Sequence, residues 1–299
     1  MPATPKRFLA IANPRGGAKR AIGIAEHVAP VFAKAGAELD VYPTEHAGHA
    51  TRIAETADLT DYSGICIIGG DGTTHEVVSG LMQRKDETLL PLGLIPAGTG
   101  NTLHHHLQCG DPLEAAQRIV RQEPHPLDVV RVTMTDETAY CINIVGWGAV
   151  ADINRRAEKL RMLKKPRYAV ATLAQILIPK PRRAILELDD TVIEDEFLFV
   201  LACNTKSTGA GMLVAPDAQV DDGLIDVIVL RNTSRRQTLR MFKKVFDGSH
   251  LSLPCIECHQ VRTMAIRSQQ PQPLNLDGEN KGTSPLTAEV MAGALQVFR

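Results

Sequence analysis

The segment Ile65-Cys-Ile-Ile-Gly-Gly-Asp-Gly-Thr-Thr-His-Glu76 decides the fold. Its apolar start has the length of a buried strand, which breaks into three glycines and then a helical stretch from Thr73 to about Met82. Glycines let the backbone approach an anion closely, and the N–H groups of a helix N-terminus favour phosphate there. Asp71 is costly beside phosphate unless it binds a metal or accepts a proton. The alternative, in which Asp71 and Thr73 form only a turn and a helix cap, stays open on this segment alone.

Two similar glycine loops lie elsewhere in the first 128 residues. Asn13-Pro-Arg-Gly-Gly17 follows an apolar strand at Phe8–Ala12, and Pro96-Ala-Gly-Thr-Gly-Asn101 follows another at Leu92–Ile95. Strands alternate here with helical stretches, which predicts βαβ units and a parallel sheet. Ligands bind at the carboxyl ends of such strands, so we expect the three loops to converge on one edge of the sheet. The chain has no Walker sequence, which excludes a P-loop enzyme.

The chain becomes rich in strands after Pro126. The pattern predicts an antiparallel sheet or sandwich, interrupted by helical insertions at about Ala151–Ile178 and at Arg235–Phe246. The predicted β-rich runs are Val129–Met134, Ala139–Val145, Ala184–Leu188, Phe197–Cys203, Leu224–Leu230 and Gln260–Arg267. We therefore predict two domains, 1–128 and 129–299, and leave open whether the last strand or helix returns to the first domain.

Composition restricts the class of protein. The 299 residues carry 33 basic and 34 acidic side chains, for a net charge of −1, so a molecule-wide positive field for nucleic acid is absent and no nucleic-acid partner is expected. No apolar run approaches the roughly 20 residues that span a bilayer. The N-terminal apolar run, Phe8–Ala12, is too short for a signal peptide. We predict a cytoplasmic protein.

Three other patterns are explained more simply without a ligand. Cys255-Ile-Glu-Cys-His259 matches a haem-attachment pattern but lacks any sign of export. His104-His-His106 has adjacent residues, whose side chains point about 100° apart on a helix. Gly146-Trp-Gly-Ala-Val-Ala151 matches a dinucleotide fingerprint outside any βαβ unit.

The three glycine loops, in order and at this spacing, resemble the diacylglycerol kinase catalytic-domain superfamily. That superfamily includes sphingosine and ceramide kinases and, more distantly, NAD kinases. In the second half, Gly146-Trp-Gly-x-x-Ala-Asp152, the segment from Glu158 to Tyr168, and Asp277-Gly-Glu279 resemble the sphingosine and ceramide kinase branch. The resemblance implies an α/β N-terminal domain with a parallel sheet and a β-sandwich-like C-terminal domain. It also implies a nucleotide between the domains and a lipid pocket in the second.

The resemblance assigns roles residue by residue. ATP is the implied phosphate donor, and Mg²⁺ is implied at Asp71 and Asp277. Asp71, Asp277 and Glu279 are the implied catalytic residues, with either Asp71 or Glu279 as the base. The implied nucleotide-binding residues are Asn13, Pro14, Arg15, Thr44, Gly69, Gly70, Gly72, Thr73, Glu76, Gly98, Thr99, Asn101, Arg161 and Arg167. The implied lipid-binding residues are Asp152, Asn154, Glu158 and Tyr168. For Glu76, stabilisation of its own helical turn is the alternative.

One departure from the family bears on the substrate. Sphingosine kinases place a second acid two residues after the position of Asp152, where it meets the amine of the substrate, and this chain has Asn154 there. A neutral amide or ester lipid is therefore favoured over a charged sphingoid base. The resemblance predicts an ATP-dependent lipid kinase. A soluble enzyme of the NAD kinase type and a catalytically silent lipid- or nucleotide-binding protein are the alternatives.

One segment of the second half has the pattern of a membrane-contacting helix. The apolar stretch Tyr168–Ile178 lies between a basic cluster at 161–167 and another at 180–183. Such a helix is too short to span a bilayer, but it suits an anionic interface at the inner face of the membrane. The same helix would equally shield a lipid pocket from solvent without contacting a membrane, and both interpretations stay open. A homodimer through strand edges is left open too.

Overall fold

The chain divides into two units, Met1–Val129 with Ala292–Arg299, and Val130–Met291. The computed structural model describes residues 6–16, 20–121, 123–159 and 167–299, without the side chains of residues 158, 167–169, 173, 177 and 210. Arg161 therefore lies outside the described residues, as do the side chains of Glu158, Arg167 and Tyr168.

The first unit is an α/β domain. Its helices flank a parallel sheet in which the strands lie in the order β2-β1-β3-β4, and Val297 at the end of β15 pairs with Leu92. The strands are β1 (Lys6–Ala12), β2 (Ala37–Pro43), β3 (Tyr62–Gly69), β4 (Leu92–Pro96) and the end of β15 (Leu286–Phe298). The helices are α1 (Ala21–Lys34), α2 (His49–Thr56), α3 (Asp71–Leu81), α4 (Thr102–His106) and α5 (Pro112–Arg121). The predicted parallel sheet is confirmed.

Aromatic rings bind the end of the chain into this domain. Phe8 on β1 packs edge-on against Phe32 of α1, with ring centroids 5.3 Å apart, and against Phe298, at 6.2 Å. All three side chains are buried with the apolar residues of the same core. Edge-to-face pairs of this kind contribute about 0.5–1.5 kcal/mol beyond their burial. The last residues of β15 are therefore part of the first unit's core.

The second unit is a β-sandwich-like domain of antiparallel strands. Its strand order is β14-β13-β7-β9-β8-β12-β15. Strand β10 pairs with residues 197–203 of β9, β11 pairs with β10, and β6 pairs with β5. The strands are β5 (Pro124–Met134), β6 (Thr138–Cys141), β7 (Ile144–Gly148), β8 (Arg182–Leu188), β9 (Thr191–Cys203), β10 (Ile225–Arg231), β11 (Ile256–Val261), β12 (Thr263–Ser268), β13 (Pro273–Leu276), β14 (Glu279–Thr283) and β15. The helices are α6 (Ala149–Lys159), α7 (Arg167–Leu177) and α8 (Arg235–Lys244).

The second half of β9, from Phe197 to Cys203, is apolar on both faces because a core lies on each side of the sheet there. Phe197 and Val200 pack into one cluster with the fully buried Trp147, whereas Phe199 and Leu201 pack into a second cluster. A strand covered on both faces reads as a continuous apolar run rather than an alternating one. Among the helices that the structure describes, none is long and apolar enough to cross a bilayer.

The structure divides two segments that were predicted as single strands. Ala139–Val145 is two strands, because the backbone between β6 and β7 turns to donate hydrogen bonds to the Asp277 carboxylate. Gln260–Arg267 is likewise divided, since the Arg262 N–H leaves the ladder for Asp189. Where the structure describes it, the predicted helical insertion Ala151–Ile178 is helical, in α6 and α7. Apolar periodicity did not reveal the two strand breaks because their hydrogen-bond partners are distant in sequence.

Two helical glycines provide a matched test of packing. A Cβ at Gly80 of α3 would collide with the Thr51 carbonyl oxygen of α2 and lie 2.8 Å from the Ala54 Cβ, whereas a Cβ at Gly23 of α1 would have no neighbour within 4 Å. We expect Gly80→Ala to lower the free energy of unfolding by about 1–3 kcal/mol through overpacking. Gly23→Ala should raise it by about 0.5–1 kcal/mol, because alanine favours helix. Thermal unfolding followed by circular dichroism checks both, and equal effects of the two substitutions would contradict the close α2–α3 packing.

Candidate active site

The three glycine loops lie together in the first unit. The backbone N–H groups of Ala97 and Gly98 donate to the Gly69 carbonyl, at 2.8 and 3.1 Å, which joins the loop after β4 to the loop after β3. The Asn13 side-chain amide donates to the Thr73 hydroxyl at 3.1 Å, which joins the loop after β1 to the start of α3. The expectation that the loops converge on one edge of the sheet is confirmed.

Glycine is required where two of these loops touch. A Cβ on Gly98 would lie 2.5 Å from the Gly70 Cα, and a Cβ on Gly70 would lie 2.9 Å from the Gly98 Cα. Real Cβ atoms do not approach backbone this closely, so a side chain at either position would push the loops apart. The two loops thus bring bare backbone to the N-terminus of α3, the kind of surface that binds phosphate.

The Asn13 loop is shaped by its own side chain. The Asn13 carboxamide oxygen accepts hydrogen bonds from the N–H groups of Arg15 and Gly16, both at 3.0 Å. This is an Asx turn, with Pro14 at its corner. It leaves the Arg15 side chain exposed beside the loop. Thr44 follows β2 in the neighbouring loop; it is buried, and its N–H donates to the Ala12 carbonyl at 2.8 Å.

Asp71 is the first residue of α3, and its side chain caps the N-terminus of α4. Its carboxylate accepts hydrogen bonds from the Thr102 N–H at 2.6 Å and from the Thr102 hydroxyl at 3.2 Å, at the first residue of α4. Asn101, just before α4, has a left-handed backbone with φ +54°, and its amide donates to the Gly98 carbonyl at 3.0 Å. The two hydrogen bonds from Thr102 hold the Asp71 carboxylate in one orientation among the loops. Gly72 and Thr99 are exposed nearby.

Glu76 also caps a neighbouring helix. Its carboxylate accepts a hydrogen bond from the Ala50 N–H at 3.1 Å, in the first turn of α2. A carboxylate at a helix N-terminus is stabilised by the free N–H groups there. The sequence left open that Glu76 stabilises its own helical turn; the described contact is with α2. Its part in nucleotide binding stays a prediction.

In the second unit, Asp277 organises a turn. Its buried carboxylate accepts three backbone hydrogen bonds, from Ile142 at 3.0 Å, Asn143 at 2.8 Å and Ile144 at 3.0 Å. Three backbone donors use most of the acceptor capacity of a carboxylate. Asp277 is therefore a positioning residue for the β6–β7 turn and for Gly278 and Glu279 beside it, of which Glu279 is exposed. Its predicted role as a metal ligand is not tested by this geometry.

Asp152 and Asn154 lie on α6 and have different partners. The Asp152 side chain, 3% exposed, is paired with Arg182 at 2.6 Å and with Arg155 at 3.1 Å, and it accepts a longer bond from the Gln175 amide at 3.4 Å. Asn154 donates through its side-chain amide to the Gly278 carbonyl at 2.5 Å. The carboxylate is therefore neutralised by arginine, and the amide supports the turn that carries Glu279.

Thr102 and Arg182 were missed as parts of these sites. Thr102 has a recognisable signal, since it begins a helix directly after the third glycine loop. Arg182 has none in the local sequence, where it belongs to a basic cluster at 180–183, because its partner Asp152 lies 30 residues earlier.

The other candidate metal residues are separated or already bonded. Cys258 on β11 is exposed as a residue, but partial desolvation of its sulfur, together with the negative charges of Asp226 and Asp217, raises its pKa to about 11, which disfavours the thiolate. Among the described residues, the one cluster with metal-ligand spacing is Glu45, His46 and His49. There the His49 Nδ1 accepts the Glu45 N–H at 3.0 Å and the His46 Nδ1 lies 2.9 Å from the Ala47 carbonyl oxygen.

The comparisons with known proteins agree with this geometry. Residues 7–132 match the family of the diacylglycerol kinase catalytic domain, and residues 143–299 match the family described as the YegS C-terminal NAD kinase beta sandwich-like domain. The chain is also 30% identical to a diacylglycerol kinase of Bacillus subtilis, over 94% of this chain and 92% of that protein. The chain belongs to the diacylglycerol kinase family of lipid kinases.

The kinase has relatives with more than one named substrate. It is 29% identical to sphingosine kinase 1 of Arabidopsis thaliana over 88% of its own length, and it spans 64% of the length of that relative. The crystal structure of a diacylglycerol kinase from Bacillus anthracis has the same fold, with a TM-score of 0.72 and 19% identity over 100% of this chain and 98% of that one. An NAD kinase from Archaeoglobus fulgidus, solved in complex with ATP, is more distant, with a TM-score of 0.52 and 12% identity over 98% of this chain and 93% of that one.

The kinase buries a histidine beside the third loop, and this predicts a pH dependence of stability. His104 on α4 is fully buried, and neither ring nitrogen has a partner among the described residues. Burial, with a smaller effect of His105, lowers the pKa of His104 to about 4. Because an unfolded histidine has a pKa near 6.5, the unfolded chain binds more protons between about pH 6.5 and 4. Stability therefore falls as the pH falls through that window.

We expect this histidine to account for about 2 kcal/mol of the stability lost between about pH 7.5 and 5. His104→Leu should remove that part of the loss, whereas His105→Leu, at an exposed position one residue along, should keep it. Urea unfolding at the two pH values measures both. A wild-type pH dependence in His104→Leu would show that the buried ring does not titrate in this window.

Proposed function

We propose that this kinase transfers the γ-phosphate of ATP to a primary hydroxyl of a neutral membrane lipid of the ceramide or diacylglycerol type. The pairing of Asp152 with Arg182 carries the neutral-lipid part of this proposal. The two side chains are only 3% and 13% exposed. A protonated sphingoid amine would have to displace an arginine from this carboxylate. A lipid with an amide or ester at that position has no charge to place there.

Asn154 supports the same choice of substrate. Its amide nitrogen donates to the Gly278 carbonyl oxygen, and a carboxylate in its place would set oxygen against oxygen at this distance. The turn held by Asn154 carries Glu279, one of the proposed catalytic acids. The amide is therefore compatible with the turn, whereas a second acid for recognition of an amine is not.

ATP fits the backbone surface of the three loops. In the first unit, the proposed phosphate cradle consists of the close pair Gly70 and Gly98, the exposed Gly72, and the hydroxyl of Thr73 that Asn13 orients. Bare backbone at the N-terminus of an eleven-residue helix suits the charge of a polyphosphate. The carboxylate oxygens of Asp71 are ligand atoms of the kind that Mg²⁺ prefers. Bound Mg²⁺ would supply neutralisation of charge on the phosphate oxygens.

Asp71 is the proposed base. In the proposed step, the lipid hydroxyl oxygen forms a bond to the γ-phosphorus, the bond from that phosphorus to the bridging oxygen of ADP breaks, and the hydroxyl proton passes to the Asp71 carboxylate. Thr102 donates two hydrogen bonds to this carboxylate, which fixes its orientation for the transfer. Phosphoryl transfer depends mainly on such positioning and on charge neutralisation. Asp277 contributes by holding the turn of Glu279.

The proposal is tested with γ-labelled ATP and Mg²⁺ on lipids in mixed micelles. Ceramide, diacylglycerol, monoacylglycerol and sphingosine form the panel, with NAD as the soluble control. Label on ceramide or diacylglycerol, and little on sphingosine, is the expected result. Label mainly on sphingosine would refute the neutral-lipid part and leave the lipid kinase. Label on NAD alone would replace the lipid kinase with a soluble kinase of the NAD kinase type.

A further inference from the structure

We propose that the outward face of α8 docks on an anionic lipid bilayer. The helix has the sequence Arg235-Arg-Gln-Thr-Leu-Arg-Met-Phe-Lys-Lys244, with five basic residues and no acid, in a chain whose net charge is −1. No part of the proposed phosphate transfer uses this helix. Its concentration of one sign of charge therefore has no explanation in the chemistry of the kinase.

The basic residues of α8 face solvent, and most of them are not paired. Thr238 and Met241, with Val245 just after the helix, form the buried stripe that holds α8 on the second unit. Four of its five cations are exposed and make no ion pair among the residues that the structure describes; these are Arg235, Arg236, Arg240 and Lys243. Several arginines elsewhere in this unit are paired, as Arg231 is with Glu257 and Arg267 with Glu187. Unpaired cations are available to an anionic partner.

Large apolar side chains lie among these cations. Leu239 is 38% exposed and Phe246 is 49% exposed, and Phe246 is held edge-on against the partly buried Phe242, with centroids 5.6 Å apart. On α8, positions 236, 240 and 243 recur at spacings of four and three, and position 239 lies on the same side of the helix, while Phe246 follows two residues after its end. Helix α7 packs beside α8; Val170 on α7 and Ile178 just after its end are exposed apolar residues as well.

A basic helical face with interspersed leucine and phenylalanine fits an anionic membrane interface. Cations attract the headgroups, and the apolar side chains enter the boundary with the acyl chains. A nucleic acid would use the cations but would give no reason to expose Leu239 and Phe246. The charge and the apolar side chains together therefore indicate the bilayer as the partner.

The test measures partition of the full chain onto vesicles without ATP, so it does not depend on phosphate transfer. Vesicles of phosphatidylcholine are compared with vesicles that contain about 30 mol% phosphatidylglycerol. We expect binding to the anionic vesicles alone, weakening as the salt rises from about 0.05 to 0.5 M. The triple variant Arg236→Gln, Arg240→Gln, Lys243→Gln should reduce the partition coefficient roughly 100-fold, or roughly fivefold for each cation removed.

A matched control removes three exposed cations from the first unit, as Lys34→Gln, Lys85→Gln, Arg121→Gln, and should bind the vesicles within about twofold of wild type. Unchanged fluorescence of the buried Trp147 confirms that the α8 variant is folded. Equal binding by the α8 variant and wild type would overturn the proposal, as would equal binding to neutral vesicles. Binding of single-stranded RNA that depends on α8, without vesicle binding that depends on α8, would overturn it in favour of a nucleic-acid surface.

Insertion of the apolar residues has its own readout. Trp147 is the single tryptophan of the chain and is fully buried, so Phe246→Trp adds one exposed fluorophore. On anionic vesicles its emission should shift to the blue and be quenched by brominated acyl chains. An unshifted, unquenched signal would exclude insertion of this end of α8. Vesicle binding without any lipid phosphorylation would leave α8 docking standing and refute the proposed function, whereas the reverse outcome would refute docking only.

Discussion

Asp71→Asn is expected to lower the turnover number of the kinase about 10³-fold, the order of effect that follows loss of a general base. The substitution replaces one carboxylate oxygen with an amide and changes little else. The remaining oxygen still accepts the Thr102 N–H, so α4 stays capped and the loops keep their shape. Affinity for ATP without Mg²⁺ should therefore stay within about threefold, because the glycine loops are unchanged. Steady-state kinetics with γ-labelled ATP, together with calorimetric titration of ATP, measure both quantities.

Asp111→Asn is the matched control for this substitution. Asp111 also accepts backbone hydrogen bonds at a helix N-terminus, from Leu113 and Glu114 at the start of α5, and it lies outside the three loops. The chemical change and the capping role are the same, and we expect turnover within about twofold of wild type. Unchanged turnover in Asp71→Asn would remove Asp71 from the proton transfer and direct attention to Glu279. Equal losses in both variants would mean that capping, and not proton transfer, is responsible.

Arg182→Met is expected to lower the free energy of unfolding by about 3 kcal/mol, the lower end of the effect of removing one partner of a buried ion pair. The substitution leaves the 3% exposed carboxylate of Asp152 with the longer contacts to Arg155 and Gln175. The lost arginine also donates to the Gln272 side chain at 2.7 Å, so β8 loses a second contact. Urea unfolding followed by the fluorescence of Trp147, in the core of the second unit, reports on this domain.

Arg183→Met tests whether burial causes this effect. Arg183 is the next residue on β8 and is paired with Glu194 at 2.9 Å, but the two side chains are 63% and 55% exposed. Surface pairs of this kind contribute about 0–1 kcal/mol, so the loss should be less than about 1 kcal/mol. A similar loss from both substitutions would show that Asp152 is not held as a buried ion. It would also weaken the neutral-lipid proposal, since the carboxylate would then be available to an amine.

The glycine loops and the division into an α/β part and a β-rich part were predictable because they depend on local signals. A run of apolar residues followed by Gly-Gly-Asp-Gly and a helical pattern is compatible with few local structures other than a strand, a tight loop and a helix. The alternation of strand and helix implies the parallel sheet. The strand breaks at Ile142–Asn143 and at Arg262 were not predictable, because each is made by a carboxylate elsewhere in the chain, Asp277 or Asp189.

The same distinction between local signals and tertiary contacts holds for the candidate site. The residues alone single out Asp71, since a carboxylate among phosphate-binding glycines needs a chemical reason to be there, whereas Asp277 and Glu279 are selected by the family resemblance. Tertiary contacts alone decide what each carboxylate is bonded to: Asp71 to Thr102, 31 residues away, and Asp277 to Ile142, 135 residues away. Asp152 and its arginine form the same kind of pair across α6 and β8. Hydrogen bonds and buried charge depend on distance in space, and no periodicity in the sequence records which distant donor arrives at a given carboxylate.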